Sequence, residues 1–324
     1  MTLRTRLTEK LGITHPVLLA PMGSISGGRL AGAVSEAGGL GLIGGGYGNA
    51  DWLEREFAAA GNRRVGCGFI TWSLAKQPDL LEVALARNPA ALMLSFGDPR
   101  PFAKRIHAAG AVLICQVQSR DHALQALEAG AEIIVAQGTE AGGHGGSRAT
   151  LPFVPAIVDL VAERAPEAIV VAAGGIADGR GLAAALAMGA EGVLLGTRFL
   201  ATHESPLHAN FKQAIVDSDG HDTVLTEIPD LAGQRVWPGA MSRAKRNRFI
   251  ERWAGREWAI RQDVAEIGKQ LAQARAAGDI NNASLSYGED AGLIDSIKSV
   301  KQVIEDILAE AEEIIKGRLQ TVLR

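Results

Sequence analysis

The sequence has 324 residues, 47 % of them hydrophobic, and a formal net charge of −3. This composition excludes global disorder, and the small negative charge excludes a global basic field that would attract nucleic acid or anionic lipid. The longest apolar runs fall short of the roughly 20 residues that a membrane helix needs. Only two cysteines occur, too few for a disulfide framework, and the first residues lack an apolar signal segment. We therefore expect a cytoplasmic protein that binds neither nucleic acid nor membrane.

Glycine is strongly overrepresented. The chain contains 39 glycines in 324 residues, about 12 % against a usual value of about 7 %. No G-X-Y period accompanies them, so a collagen-like chain is excluded. We expect these glycines at positions that need a positive φ or a close approach of backbone to a ligand.

A repeating unit of apolar run, glycine-rich or polar break and amphipathic stretch extends from Leu11 to about Leu200. Apolar runs without polar alternation are typical of parallel strands that are buried on both faces. Eight strands are predicted, at residues 17–20, 40–43, 65–69, 91–95, 112–116, 133–136, 169–173 and 193–195. Helices are predicted between them, among others at residues 53–60, 80–87, 101–109, 122–129, 154–164 and 181–188.

Several of the predicted helices end at a glycine. Gly38, Gly110, Gly130 and Gly189 each follow the last turn, where a left-handed glycine can satisfy the free carbonyl groups. Eight βα units in roughly 200 residues predict an α/β protein with a (β/α)8 TIM barrel.

The pattern changes after Leu200. The segment from Thr202 to Ile250 contains three prolines and no clear strand, and helical patterns resume from Arg243 to Ala277. The stretch from Ile297 to Leu323 has apolar residues at helical spacing, which fits either a partner-binding or coiled-coil helix, for example in a homodimer, or a terminal helix packed on its own barrel. We expect residues 1–200 to form the barrel core, residues 201–290 a mostly helical insertion or cap over the active site, and residues 291–324 an amphipathic helix packed back on the barrel.

Two glycine-containing loops predict a phosphate site. In a (β/α)8 barrel the functional loops follow the strands, and phosphate is often bound after strands seven and eight. Gly174-Gly175 and Gly196-Thr197 have these positions, and the Thr197 hydroxyl is a further donor. No Walker lysine accompanies them, which favours a phosphorylated cofactor over phosphoryl transfer. A G-x-G-x-x-G match at residues 39–44 lies within an apolar run, so it does not indicate a Rossmann site.

The candidate catalytic residue is His144. It lies in the segment Glu-Ala-Gly-Gly-His-Gly-Gly (residues 140–146), where permissive backbone presents the imidazole as a general base or as a partner for an anion. The other six histidines fit surface or packing roles. No second ligand stands at metal-binding spacing, so no metal is expected. Cys67 and Cys115 are expected at strand ends facing the barrel mouth, and both are weak candidates for a nucleophile.

Together these segments resemble the nitronate monooxygenase family, formerly called 2-nitropropane dioxygenases. The resemblance rests on Ala20-Pro21-Met22, on residues 137–146, 173–179 and 196–199, and on a late element at residues 288–294. It is loosest between Thr202 and Leu285. The Glu-Ala-Gly-Gly-His segment is shared with FMN-dependent enoyl-acyl-carrier-protein reductases, so it identifies the superfamily better than the reaction.

The resemblance implies a TIM barrel that holds non-covalent FMN. Its phosphate would lie at Gly174, Gly175, Gly196 and Thr197, next to Ala173. The isoalloxazine would rest against Ala20, Pro21 and Met22, with Gln116, Gln137 and Gly142 alongside.

The implied reaction is the oxidation of an alkyl nitronate or nitroalkane with O₂ to a carbonyl compound and nitrite, with His144 as the catalytic residue. The alternatives are an NAD(P)H-dependent FMN reductase of quinones or enoyl thioesters, and a non-enzymatic flavin-binding module. Two departures bear on this choice: Gly68 stands where many relatives have asparagine, and Gln116 where some have lysine. Phe69 and Trp72 are interpreted as the apolar wall of the substrate pocket.

Overall fold

A computed structural model describes residues 3–322, and its core is a closed barrel of eight parallel strands in the order β1-β2-β3-β4-β5-β6-β8-β9. The strands are β1 Val17–Leu19, β2 Leu40–Gly44, β3 Gly66–Ile70, β4 Ala91–Ser95, β5 Val112–Val117, β6 Ile133–Gln137, β7 Gly143–Gly145, β8 Ile169–Ala173, β9 Val193–Leu195, β10 Thr223–Thr226 and β11 Met241–Lys245. The predicted TIM barrel is confirmed. Each predicted barrel strand matches an observed one, with ends that differ by at most one residue.

Helices lie between the barrel strands and beyond them. They are α1 Arg6–Leu11, α2 Gly28–Glu36, α3 Ala50–Ala60, α4 Thr71–Leu74, α5 Leu80–Leu85, α6 Arg100–Ala108, α7 Arg120–Glu128, α8 Thr150–Arg164, α9 Gly179–Ala187, α10 Thr197–Leu200, α11 Ala209–Val216, α12 Ile228–Ala232, α13 Arg248–Trp253, α14 Glu257–Ile260, α15 Val264–Ala276, α16 Val300–Glu313 and α17 Leu319–Val322. A 3₁₀ turn spans Glu289–Leu293, and a π-helical turn spans Ile314–Arg318.

The barrel strands are apolar on both faces because each face is buried. Residues such as Leu42, Met93 and Val171 fill the interior, whereas their neighbours along the strands pack against the surrounding helices. Leu7 and Leu11 of α1 join the interior cluster and close one end. The open end at the carboxyl ends of the strands is left for the site.

Glycines end the helices as predicted. Gly38, Gly110, Gly130 and Gly189 have φ values of 92°, 73°, 78° and 89°, the left-handed conformation that a side chain disfavours. Each is followed closely by a barrel strand, so the repeated helix ending also sets the entry to the next strand.

The eighth helix of the outer ring comes from the far end of the chain. Helix α16 packs between α9 and α2, which is the place of the helix that follows the last barrel strand. The backbone N–H of Gly179 donates to Oε2 of Glu310 at 2.8 Å, and a Cβ at Gly179 would lie 2.5 Å from the N of Ala311. Residues 201–299 therefore form an insertion between α10 and α16, called the insertion below.

The insertion contains two strands, so the prediction of no strand between Thr202 and Ile250 is wrong. β10 and β11 pair antiparallel, and β11 pairs in turn with β7, which carries His144. The helical pattern predicted from Arg243 is likewise wrong at its start, because β11 runs to Lys245 and α13 begins at Arg248. These strands bury Thr223, Ser242 and Arg243 beside apolar residues, so they lack the apolar runs that marked the barrel strands.

No helix within residues 3–322 is both long enough and apolar enough to cross a lipid bilayer.

Candidate active site

A cavity of about 320 Å³ opens at the carboxyl ends of the barrel strands. It brings together nearly all of the residues singled out in the sequence. Those that line it are Ala20, Pro21, Met22, Phe69, Gln116, Gln137, Gly142, His144, Ala173, Gly174, Gly175, Gly196 and Thr197.

Trp72 is the exception. It is not among the residues that line the cavity, although it lies close behind the wall. Its ring packs edge-on against Trp237, with centroids 5.5 Å apart, and Trp237 does line the cavity. Trp72 therefore supports the wall instead of forming its surface.

His144 lies on β7, the edge strand of a small three-stranded sheet. β7 pairs with β11, which places His144 opposite Ser242. The Nε2 atom of His144 lies 2.9 Å from Oδ2 of Asp230, and the two side chains are only 17 % and 7 % exposed. The imidazole also stacks on Trp237, with centroids 3.4 Å apart and planes 9° from parallel.

This pairing defines what the imidazole can do. With Asp230 ionised, Nε2 carries the hydrogen and donates it to the carboxylate, which leaves Nδ1 as the acceptor. Within residues 3–322 no protein group bonds to Nδ1. A ring that gains a proton at Nδ1 has the carboxylate as its counter-ion. The pair can therefore accept a proton or hold an anion in the cavity.

Sequence reasoning missed Asp230 and Trp237. Both come from the insertion: Asp230 from α12, and Trp237 from the loop that leads to β11. No spacing relates them to His144. Only the pairing of β7 with β11 brings them to the ring, so the sequence carried no signal for either residue.

Three glutamines fix the loop that carries His144. Oε1 of Gln137 accepts hydrogen bonds from Nε2 of Gln116 at 3.1 Å and from Nε2 of Gln118 at 2.9 Å. Nε2 of Gln137 donates to the backbone carbonyl of His144 at 3.0 Å. The two predicted glutamines thus meet at the base of the site, and Gln118 joins them as a buried third member that the sequence did not single out.

Aromatic side chains form part of the cavity wall. Tyr47, Phe96 and Trp237 line it, and Nε1 of Trp237 donates to the Tyr47 hydroxyl at 2.9 Å. Burial raises the pKa of Tyr47, so its hydroxyl stays neutral. Phe96 has a φ of 61°, a strained conformation for a bulky residue and one that is concentrated at functional sites.

The edge formed by the loops after β8 and β9 fits a phosphate. Gly174 and Gly175 have φ values of 97° and 73°, which only glycine adopts without strain. A Cβ at Gly196 would meet nothing closer than Met22 Sδ at 3.5 Å, so free space lies beside that backbone. Among the described residues, the N–H groups of Gly175 and Thr197 donate to no protein acceptor. Bare donors beside open space are what an anionic group requires.

The Thr197 hydroxyl has other partners. It accepts from the backbone N–H of Gly288 at 2.9 Å and hydrogen-bonds to the Asp290 carboxyl. These contacts link the hydroxyl to the segment that enters the turn at Glu289–Leu293, and its donation to a phosphate stays a prediction. Gly142 lies at the same junction, where a Cβ would be 2.4 Å from the Tyr287 carbonyl carbon.

The two cysteines do not face the barrel mouth, so that prediction is wrong. Side chains alternate along a strand, and Gln116 points inward, so Cys115 points outward into the layer between strands and helices. Cys67 has the same orientation on β3. Burial raises the pKa of both thiols, that of Cys115 to about 12, which makes them inert.

The fold and site together define a class: TIM-barrel oxidoreductases with their site at the carboxyl end of the strands. The family model for nitronate monooxygenase matches residues 4–63 and 71–310. The chain belongs to the nitronate monooxygenase family.

Relatives within this class carry different names. The nitronate monooxygenase of Neurospora crassa is 31 % identical, over 93 % of this chain and 90 % of its own length. The (3aS,4S,5R,7aS)-5-hydroxy-7a-methyl-1-oxo-octahydro-1H-indene-4-carboxyl-CoA dehydrogenase of Mycobacterium tuberculosis is 30 % identical, over 96 % and 97 %. Among solved structures, FabK from Thermotoga maritima superposes with a TM-score of 0.87 and 36 % identity, over 99 % of this chain and all of that one.

Proposed function

We propose that this protein binds FMN and oxidises alkyl nitronates with O₂ to a carbonyl compound and nitrite. The observation that carries the proposal is the His144–Asp230 pair, whose imidazole lines the cavity of a chain of this family. A nitronate is an anion, and a histidine with a carboxylate partner can hold a proton beside it.

FMN would supply the redox chemistry when bound. The residues proposed to hold it are those of the sequence analysis: Gly174, Gly175, Gly196 and Thr197 for the phosphate, and Ala20, Pro21 and Met22 for the ring. Their support is the free backbone N–H groups and open space at the β8 and β9 loops.

His144 has two roles in this proposal. Its Nδ1 takes the proton from the carbon of a neutral nitroalkane, or its protonated ring balances the charge of a nitronate. Asp230 keeps Nε2–H directed to itself, so Nδ1 stays the acceptor nitrogen. The aromatic wall of Trp237, Phe96 and Tyr47 excludes water and provides an apolar surface for the alkyl group. Residues 201–290 act here as a cap, because they supply Asp230 and Trp237.

Anaerobic mixing tests the reaction. Ethyl nitronate should bleach the flavin absorbance between about 350 and 500 nm, whereas NADH should leave it unchanged. Reduction by NADH within one turnover time, with no reduction by the nitronate, would overturn the proposal. A purified chain without flavin absorbance would overturn the cofactor assignment as well.

The second candidate is an NAD(P)H-dependent reductase of an enoyl thioester or a quinone. It is favoured by the likeness to a carboxyl-CoA dehydrogenase and to FabK, and by one cationic group that lines the cavity and a second beside its aromatic wall. Arg275 lines the cavity, and the Arg235 guanidinium lies 4.1 Å from the centroid of the Tyr47 ring. These cations suit the phosphate groups of a thioester carrier. The same anaerobic experiment separates the two candidates.

A further inference from the structure

Asp290 places a carboxyl group inside the proposed cofactor cavity. It lies on the turn Glu289–Leu293, is 5 % exposed, and lines the same cavity as Gly174, Gly175 and Gly196. The proposed function gives it no role.

This carboxyl group has no cationic partner. Its hydrogen-bonding side chain is Thr197, and no ion pair involves it within residues 3–322. The nearby cation is Arg198 of α10, but that guanidinium donates to the carbonyls of Ala201 at 2.9 Å and Ser296 at 2.8 Å. An unpaired charge in such a place is costly.

The other charged groups around Asp290 do not compensate it. Glu289, on the same turn, adds a negative charge and pairs with Arg243 at 2.8 Å. The Glu140 carboxylate, from the loop after β6, accepts from the Thr150 N–H and hydroxyl. Burial raises the pKa of Asp290 to about 7, and Arg198 only partly opposes this.

A phosphate dianion next to these loops would repel an ionised Asp290. Two like charges in one buried space cannot both persist at low cost, so one of them takes up a proton. The phosphate is already fully charged above neutral pH, because its second pKa is about 6. The Asp290 carboxyl group is therefore the group that must take up the proton.

We propose that Asp290 must be protonated for the FMN phosphate to bind, so that FMN binding takes up a proton and FMN affinity falls as the pH rises above neutral. This inference rests on the cofactor part of the proposed function and is independent of nitronate chemistry. Below neutral pH the carboxyl is already neutral, and binding needs no proton. Above neutral pH, the binding of each FMN must be accompanied by the uptake of one proton from solvent by Asp290.

The experiment is dilution of the flavin-loaded full chain across a pH series, with free flavin measured by its fluorescence. If the ionised form is excluded, the dissociation constant of FMN should rise about 20-fold between about pH 7.5 and pH 9. The same protein loaded with riboflavin, which has no phosphate, should show no such rise. Asp290→Asn should make FMN affinity constant over this range, whereas Asp295→Asn, an exposed carboxylate beyond the same turn, should leave the rise unchanged.

A second measurement needs only the unmodified protein. Calorimetry of FMN binding at about pH 8 in two buffers of different ionisation enthalpy should report uptake of nearly one proton. Equal pH slopes for the wild type and Asp290→Asn, equal slopes for FMN and riboflavin, or no proton uptake would overturn the proposal. Failure to bind FMN at any pH would instead overturn the proposed cofactor, and this proposal with it.

Discussion

Oδ2 of Asp230 lies 2.9 Å from Nε2 of His144, although 86 positions separate the two residues in the sequence. The contact joins the loop after a barrel strand to the insertion, through the pairing of β7 with β11. The residue predicted to be catalytic is therefore oriented by a segment that is not part of the barrel. The site is complete only when the insertion is folded onto the barrel.

Replacing His144 by alanine should abolish most turnover and leave FMN bound. General acid–base groups contribute about 10²- to 10⁴-fold, so kcat/KM with ethyl nitronate should fall by about that factor. Oxygen consumption measures the rate, and the flavin spectrum measures occupancy. The matched control is His122→Ala, an exposed histidine on α7. Wild-type rates in His144→Ala would remove this residue from the mechanism.

Asp230→Asn should lower kcat/KM by about 10- to 100-fold and leave FMN bound. The amide keeps the shape of the side chain but no longer provides a counter-ion for a protonated imidazole. The split between the two kinetic parameters is the informative readout, since the loss should fall on kcat, whereas a disturbed cavity wall would raise KM. Asp263→Asn, an exposed aspartate of the insertion, serves as the control. A loss confined to KM would argue against a role of this pairing in the reaction.

Trp237→Ala should raise KM and lower kcat together. The ring stacks on His144 at a centroid distance of 3.4 Å and forms part of the cavity wall. Such an aromatic contact is worth about 1 kcal/mol, or about fivefold, beyond the area it buries. Trp237→Phe should retain much of the activity. Val236→Ala alters the 85 % exposed neighbour and should have no effect. If Val236→Ala lowers activity as much as Trp237→Ala does, the loss of activity results from a disturbed loop before β11 and not from the lost stacking of Trp237 on His144.

Gly196→Val should reduce FMN affinity about tenfold or more without unfolding the chain. The backbone of Gly196 has a φ of −110°, which other residues adopt, and a Cβ would meet only Met22 and Ala20 at ordinary distances. The added side chain therefore projects into free cavity space. Gly317→Ala, where a Cβ meets nothing within 4 Å, is the control. Unchanged flavin binding with a normal fold would place the phosphate elsewhere.

Asp290 should make the flavin-free chain less stable as the pH rises from about 4 to about 7. Its pKa is about 7 in the folded chain and about 3.9 when unfolded, so its full stability contribution is present below about pH 3.9 and is lost as the pH rises through 7. The shift corresponds to at most about 4 kcal/mol. We expect urea unfolding at about pH 4.5 and pH 8 to show that the free energy of unfolding of Asp290→Asn, relative to that of the wild type, is higher at pH 8 than at pH 4.5. The same difference at both pH values would mean that Asp290 does not titrate between them.

The barrel could be predicted from the sequence because its information is local. Each barrel strand is a short apolar run, and several of the helices between the strands end at a glycine, as at Gly110 and Gly130. The parallel topology then places the residues after the strands in one cavity. His144, Gly175 and Gly196 could therefore be grouped without knowledge of any contact between them.

The amino-acid sequence alone thus predicts the eight strands, several helix endings and the strand-end residues that meet in the cavity. The three-dimensional structure is needed to show that Asp230 and Trp237 reach His144, that Asp290 enters the cavity, and that α16 completes the outer ring. The outward direction of Cys67 and Cys115 belongs with these, since it depends on the register of each strand in the closed barrel. Hydrophobic periodicity encodes what a segment buries locally. It does not predict which distant polar group will contact a given side chain, because that contact depends on how the insertion and the barrel pack together.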